Sequence, residues 1–137
     1  MACIFCRISA GELPSMKIFE DEATVAIMDI NPVNIGHALV IAKYHAETLY
    51  DLPEAVGAAV MRTVQRVAGA IRDTVKPAGL NLLQANGPAA FQSVTHFHIH
   101  LIPRFTDDGK GLQPSPTPTA ANRIQELAER IRSHIVS

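Results

Sequence analysis

The 137-residue chain lacks the features that mark several large classes of protein. Its net charge is -1 and its lysines and arginines are scattered, so we find no basic stripe of the kind that binds nucleic-acid polymers. No apolar run approaches the ~20 residues that span a bilayer, and we find no polybasic or amphipathic membrane anchor. The first residues lack the basic and long apolar regions of a signal peptide, so we expect a cytoplasmic protein. These observations do not exclude a protein that binds a small ligand, and such a ligand can be anionic.

Cysteine is also scarce, and the two cysteines that occur are close together. Cys3 and Cys6 have the spacing C-x-x-C. In a cytoplasmic protein this pair is more often a metal site or a redox pair than a structural disulfide. A thioredoxin-like redox motif requires a helix start after the second cysteine, and we see no such pattern after Cys6. The spacing therefore favours metal ligands.

The hydrophobic patterning predicts one domain over residues 1–137, of α+β class. The hydrophobic fraction, 47%, is enough for a buried core. We expect a hairpin and three further strands, at residues 16–20, 23–28, 37–42, 80–84 and 94–102. One helix is expected after an apparent capping box, Asp51 to Glu54, and a second at about 118–136. The short links favour an antiparallel sheet of about five strands with two helices.

Three of the six histidines alternate with apolar residues in the last predicted strand, residues 94–102. In a strand, His96, His98 and His100 lie on one face, about 7 Å apart from neighbour to neighbour. The apolar residues between them point to the other face, which leaves the imidazole row on the open side. Two interpretations follow: the row binds a metal, or one neutral imidazole attacks phosphorus while the others bind oxygens or move protons.

The row resembles the signature of the histidine-triad (HIT) family, and the resemblance extends over roughly residues 3–104. Matching segments occur in the family's order: Cys3-Ile4-Phe5-Cys6, Gly11-Glu12-Leu13-Pro14, Asp29-Ile30-Asn31-Pro32, Gly36-His37-Ala38-Leu39-Val40, Lys43-Tyr44-His45, Asn86-Gly87-Pro88, Gln92-Ser93-Val94 and Pro103-Arg104. The resemblance implies a HIT-like fold and a homodimer whose two sheets join across a two-fold axis.

The resemblance also implies an activity, which is cleavage of nucleoside 5'-phosphate linkages through a nucleotidyl-histidine intermediate. The implied substrate is a purine nucleoside phosphoramidate, acyl-adenylate or dinucleoside polyphosphate, and no organic cofactor is expected. The implied catalytic residues are His98 as nucleophile, assisted by His100, His37 and Ser93. The implied substrate-binding residues are Asp29, Ile30, Asn86 and Gln92. Taken without the resemblance, Asp29 before Asn31-Pro32 is more typical of a turn residue.

A structural zinc is implied as well, held by Cys3, Cys6, His45 and His96. Two departures from the family pattern concern the substrate: Phe91 stands where glycine is usual and is expected to narrow the pocket or redirect its loop, and Ala85 replaces a polar residue. Two other functions remain open. The first is a nucleotide-binding regulatory protein with little turnover, and the second is a zinc hydrolase whose metal is held by His96, His98 and His100.

Overall fold

The computed structural model describes residues 3–111 and 116–135, and its centre is a five-stranded antiparallel sheet. The strands are β1 (Lys17–Glu20), β2 (Thr24–Met28), β3 (Ala38–Ala42), β4 (Gly79–Leu83) and β5 (His98–Arg104), in the order β1-β2-β3-β5-β4. The α-helices of the described residues are α1 (Ile4–Ser9), α2 (Glu54–Val75) and α3 (Ala121–His134). The predicted α+β class, the hairpin and the antiparallel sheet are confirmed. None of these helices is both long and apolar enough to cross a membrane.

The two faces of the sheet are covered by different helices. On one face, α2 packs its apolar stripe, including Val60, Val64 and Ile71, against alternate residues of β2, β3 and β5. On the other face, Phe5 and Ile8 of α1 pack against the remaining residues of β2 and β3. Successive strand residues point to opposite faces of the sheet. The short apolar runs of β2 and β3 are therefore buried on both faces.

The expected count of two helices is wrong, because α1 was not predicted. This helix has six residues, fewer than two turns, and such a segment is too short for a 3.6-residue periodicity to be recognised. Its C-terminal end is held locally by backbone bonds from Ala10 to the carbonyls of Cys6 and Ile8. The missed helix matters because it covers the face of the sheet that carries the histidines.

The predicted capping box at the start of α2 is also wrong. Asp51 accepts 3.0 Å hydrogen bonds from the backbone N–H and the hydroxyl of Thr48, and so closes a short 3-10 turn, Leu49–Asp51, that precedes the helix. The residue before α2 is Pro53, which restricts Leu52 to extended backbone. That extended residue carries Asp51 away from the first turn of α2.

Strand β5 begins four residues later than predicted, at His98 instead of residue 94. Its partner β3 ends at Ala42, and the pairing of the two strands ends at Ile41 with His98. Residues before His98 leave the ladder, and the N–H of Phe97 donates to the carbonyl of Ala46 over 2.8 Å. His96 is therefore released from the strand and can turn toward the N-terminal segment.

Helix α3 lies within the expected range of 118–136 and is amphipathic. The apolar side chains Ile124, Ile131 and Ile135 are 56–72% exposed. The helix begins after residues 116–120, which have no regular structure.

Candidate active site and metal-ligand cluster

The sheet brings three histidines together on the face covered by α1. His98 and His100 are alternate residues of β5, paired with Ile41 and Leu39 of β3, and His37 directly precedes β3. The ring centroids of His98 and His100 are 5.0 Å apart, and those of His37 and His100 are 5.2 Å apart. Antiparallel pairing of two strands thus assembles a cluster from residues 63 positions apart in sequence.

His98 is held as a neutral imidazole with one nitrogen available. Its Nδ1–H donates to the backbone carbonyl of His96 over 2.7 Å, which leaves the lone pair on Nε2. Burial lowers the pKa of His98 below its usual value. The ring of Phe5 contacts it edge-on, with centroids 5.0 Å apart. A buried imidazole with a fixed tautomer and a free lone pair is suited to nucleophilic attack.

The histidine row does not lie on an open side of the sheet, as the sequence suggested. His96 is fully buried and His98 is 6% exposed, because α1 and Phe5 cover them. Only His100 retains moderate side-chain exposure, at 22%. The error has the same origin as the missed helix: the covering element could not be recognised from the sequence.

His37 and His100 form a hydrogen-bonded pair beside a carboxylate. The Nε2 atom of His37 lies 3.0 Å from Nδ1 of His100 and 3.4 Å from Oδ2 of Asp29. Burial is the largest influence on the pKa of His37, which is lowered despite the Asp29 carboxylate. Burial, followed by the neighbouring histidines, lowers the pKa of His100 to about 4. Both rings are therefore neutral near pH 7.

Asp29 forms the turn that the sequence offered as one interpretation, and it also contacts the histidine pair. Its Oδ1 accepts the backbone N–H of Asn31 over 2.8 Å, which is an Asx turn. Its Oδ2 faces His37, and the residue also lines the cavity described below. One oxygen thus serves the turn while the other faces the histidine pair.

A cavity of about 610 Å³ opens in front of His98 and His100. Its polar lining includes Asp29 and Ser93, and its walls are mainly apolar, with contributions from Ile4, Phe5, Ile8, Leu13, Ile27, Ile30 and Leu39. This size is within the range of small-molecule sites, and apolar walls with a few polar groups at one end are typical of them. The lining thus offers contacts to apolar groups and to polar ones.

Asn86 and Gln92 differ from Ser93, because their amides bond to the loop that precedes β5 and to the segment between β3 and α2. Oδ1 of Asn86 accepts the backbone N–H of Leu49 over 2.7 Å, and its amide group also pairs with the side chain of Gln84. Gln92 accepts from the N–H of Gly87 over 2.7 Å and donates to the carbonyls of Glu47 and Val94. These contacts give both residues a framework role around the site.

Phe91 adopts left-handed backbone with φ of 65°, and its side chain is 91% exposed. Glycine is usual at this position in the family pattern, and the left-handed conformation explains why, since only glycine adopts it without strain. The ring projects into solvent instead of packing into the cavity, so it does not narrow the pocket.

A second cluster lies next to the first and contains two cysteines and two histidines. Sγ of Cys3 is 3.2 Å from Nδ1 of His96, Sγ of Cys6 is 3.2 Å from Nδ1 of His45, and the two Nδ1 atoms are 3.0 Å apart. All four ligand atoms lie within 4.8 Å of one another. Ligands of a tetrahedral zinc are about 3.3–3.8 Å apart, so the cluster needs only small expansion to hold one.

The surroundings of His96 fit a metal ligand. Its Nε2–H donates to the carbonyl of Ala42 over 2.5 Å, which directs the Nδ1 lone pair toward the cysteines. A backbone acceptor on the second nitrogen is the usual support for a metal-bound imidazole. Cys3 caps α1 and Cys6 follows three residues later, so both thiols lie on one face of the helix.

Asp29, His37 and His100 also offer three ligand atoms within 4.8 Å of one another. The backbone N–H of Val33 donates to Nδ1 of His37 over 3.0 Å. A metal on Nε2 of a neutral imidazole requires the proton on Nδ1, where it would oppose the N–H of Val33. This group is therefore unsuited to a metal as it stands.

The chain is similar to several curated proteins along much of its length. The sequence profile of the HIT domain matches residues 10–107. Protein hit of Bacillus subtilis (strain 168) is 48% identical over 109 residues, covering 80% of this chain and 73% of that protein. An adenosine 5'-monophosphoramidase of Schizosaccharomyces pombe is 38% identical over 136 residues, covering 98% and 99%. An adenylylsulfatase of Arabidopsis thaliana is 43% identical over 102 residues, covering 74% and 52%.

Solved structures show the same fold. The crystal structure of a HIT family member from Bacillus subtilis superposes with a TM-score of 0.93 at 39% identity, covering 100% of this chain and 99% of that one. A zinc-bound histidine triad family protein from Mycobacterium smegmatis superposes with a TM-score of 0.77 at 36% identity, covering 97% of each chain.

Proposed function

The chain belongs to the HIT domain family, and from this premise we propose that it is a nucleotide hydrolase or nucleotidyl transferase that acts on nucleoside 5'-phosphate linkages through His98. The observation that carries the proposal is the tautomer of His98. Because its Nδ1–H is donated to the His96 carbonyl, Nε2 carries the lone pair. This nitrogen belongs to a residue that lines the cavity.

The chemistry takes place in two displacements at the α-phosphorus. In the first, the Nε2 lone pair of His98 forms a bond to phosphorus, and the leaving atom departs with its bonding pair and takes up a proton that solvent supplies, while the Nε2–H of His100 donates a hydrogen bond and His37 orients that ring. In the second, water attacks phosphorus and loses a proton to solvent, and the N–P bond breaks. The pair returns to Nε2, and a nucleoside 5'-monophosphate is released. Covalent catalysis of this kind requires no activating metal.

The cavity supports a purine nucleotide as substrate. Its apolar walls, among them Ile30, suit a flat base, and Asp29 supplies a carboxylate that accepts hydrogen bonds from adjacent ribose hydroxyls. Ser93 also lines the cavity, and its hydroxyl can donate to a developing anion. Relatives named adenosine 5'-monophosphoramidase and adenylylsulfatase favour an adenosine 5'-phosphate joined to an amine or to sulfate.

Zinc is proposed as a structural ion held by Cys3, Cys6, His45 and His96. The donor set is a tetrahedral Cys2His2 set, and a zinc-bound structure is among the similar folds. The ion would supply a crosslink between α1 and the segment before β5, and the residues that line the cavity would carry out the reaction. The homodimer stays a proposal that rests on the family resemblance. The cytoplasmic location and a single domain over residues 1–137 stay proposals that rest on the sequence alone.

The first experiment is turnover of a fluorogenic adenosine phosphoramidate and of diadenosine polyphosphates, with mass spectrometry for an adenylylated protein. We expect one substrate class to be cleaved, and His98→Ala to reduce kcat/KM by about 10³-fold or more and to abolish the adduct. The matched control is His134→Ala, which removes an exposed imidazole from α3 and should retain full activity.

The second candidate is a nucleotide-binding protein with little turnover. It is favoured by Ala85, which offers the phosphates no side-chain hydrogen bond, and by the amides of Asn86 and Gln92, which are already bonded to other residues of the protein. If nucleotide binds, neither substrate is cleaved and His98→Ala changes no rate, this candidate replaces the first.

A further inference from the structure

The tautomer of His37 is set by a backbone group outside the histidine cluster. The N–H of Val33 donates to Nδ1 of His37 over 3.0 Å. A peptide N–H can only donate, so Nδ1 must accept, and the proton of neutral His37 lies on Nε2. One backbone amide thus decides which nitrogen of a buried imidazole carries hydrogen.

The same argument extends to His100. Its Nδ1 is 3.0 Å from the protonated Nε2 of His37 and 4.0 Å from Oδ2 of Asp29, which is too far for a hydrogen bond. A proton on Nδ1 of His100 would oppose the one on His37, so Nδ1 accepts and the proton lies on Nε2. Because the Nδ1 edge is taken by His37, Nε2–H is the polar group that His100 presents to a substrate in the cavity.

The Val33 amide is held in place by the residue that follows it. The side-chain amide of Asn34 donates to the carbonyl of Pro103 over 2.9 Å and to Oδ2 of Asp108 over 3.0 Å. The backbone carbonyl of Asn34 accepts the N–H of His37 over 3.2 Å. Asn34 therefore anchors the turn that carries Val33 to β5, the strand that also carries His100.

Asp108 is itself fixed as an acceptor. Arg104 donates to both of its carboxylate oxygens over 2.9 Å, and the backbone N–H groups of Phe105 and Lys110 each donate over 3.0 Å. The Arg104 guanidinium holds the pKa of Asp108 far below its usual range, so the group remains a carboxylate. The acceptor for Asn34 is thus rigid and permanently charged.

We propose that Asn34 and Asp108 are positioning residues, which hold the Val33 amide against His37 and thereby keep His100 as an Nε2–H donor to substrate. Loss of the anchor would free the turn, allow the proton of His37 to move to Nδ1, and turn a lone pair of His100 toward the phosphate oxygens. The effect on turnover rests on the proposed function, whereas the tautomers follow from the structure alone.

The test is long-range ¹H–¹⁵N NMR of the histidine side chains in the full-length protein, which identifies the protonated nitrogen of each ring. In the wild type we expect Nε2–H at both His37 and His100, and Nδ1–H at either one overturns the assignment. Asn34→Ala should populate Nδ1–H at His37 and lower kcat on the adenosine phosphoramidate about 10-fold, with KM changed less than about twofold. If Asn34→Ala does not fold, Asn34→Ser retains one donor and should give a smaller shift in the same direction.

The matched control is Asn81→Ala. Asn81 accepts from Nη1 of the same Arg104 over 2.9 Å, a nitrogen that is not among those bonded to Asp108. This variant should leave both tautomers and kcat as in the wild type, even where its Tm falls. Unchanged tautomers in Asn34→Ala, or an equal change in Asn81→Ala, would contradict the positioning role. Absence of phosphoramidate turnover in a wild type with the expected tautomers would contradict the proposed function instead.

Discussion

The imidazole of His98 donates its Nδ1–H to the backbone carbonyl of His96 over 2.7 Å, so the proposed nucleophile is oriented by the backbone of a proposed metal ligand. The side chain of His96 points the other way, to Ala42 and to Cys3 and Cys6. A fixed position for His96 therefore fixes the lone pair of His98. This coupling explains how a structural ion can matter to catalysis without contacting the substrate.

Zinc content should depend on the cysteines and not on the nucleophile. We expect Cys3→Ser or Cys6→Ser to lose zinc on dialysis, because each removes one of four ligands. His98→Ala should retain about one zinc per chain, measured by atomic emission on folded protein. The opposite pattern, with zinc lost from His98→Ala and retained in both cysteine variants, would favour a hydrolytic metal held by His96, His98 and His100.

Phe5 should matter to both stability and catalysis. It is 6% exposed and packs edge-on against the rings of His96 and His98. We expect Phe5→Ala to lower the free energy of unfolding by about 3 kcal/mol, the usual cost of a large cavity, and to lower kcat as His98 loses its packing. Chemical denaturation and steady-state kinetics measure the two effects.

The control for this variant is Phe91→Ala, which removes the same ring from a site that is 91% exposed. Its free energy of unfolding should stay within about 0.5 kcal/mol of the wild type. A similar loss of unfolding free energy in both variants would mean that the packing of α1 on the histidines contributes little to stability.

Local patterns predicted most of the sheet and the long helix. Short apolar runs identified the β1–β2 hairpin and β3, and the 3.6-residue period identified α2. The histidine row was found because three imidazoles at alternate positions are unusual on one strand face, and the resemblance to the HIT family supplied His37, Ser93 and Asp29.

Features that depend on distant contacts were missed. The six residues of α1 are too few to show a period, and their stability comes from burying Phe5 and Ile8 against the sheet. The bond from Asn34 to Asp108 joins residues 74 positions apart, and neither residue has a local pattern that marks it. Asp51 has the spacing of a cap for α2, but Pro53 diverts the chain before the helix begins.

Phe91→Gly should stabilise the protein. Phe91 has left-handed backbone, which costs a residue with a side chain about 1–2 kcal/mol. Its ring is exposed and therefore gains little stabilisation from packing. Glycine removes the strain but gains freedom in the unfolded chain, so we expect a net rise of up to about 1 kcal/mol in the free energy of unfolding. Ala90→Gly, one residue earlier in the same turn, lacks that strain and should destabilise. A loss of stability in Phe91→Gly would show that the aromatic ring has a stabilising contact.

Acid should destabilise the fold through His100. The unfolded imidazole takes up a proton as pH falls through its ordinary value near 6.5, whereas the folded one stays neutral until about pH 4. The unfolded state then binds more protons between these values, so the free energy of unfolding falls as pH drops from 6.5 to about 4, by at most about 3 kcal/mol from this residue. Urea denaturation at intervals across this range measures the slope. His100→Asn keeps a polar side chain but cannot titrate, and its slope should be shallower than that of the wild type. Equal slopes would mean that His100 is protonated in the folded protein well above pH 4, and its Nδ1 would then no longer accept a hydrogen bond from His37 in mild acid.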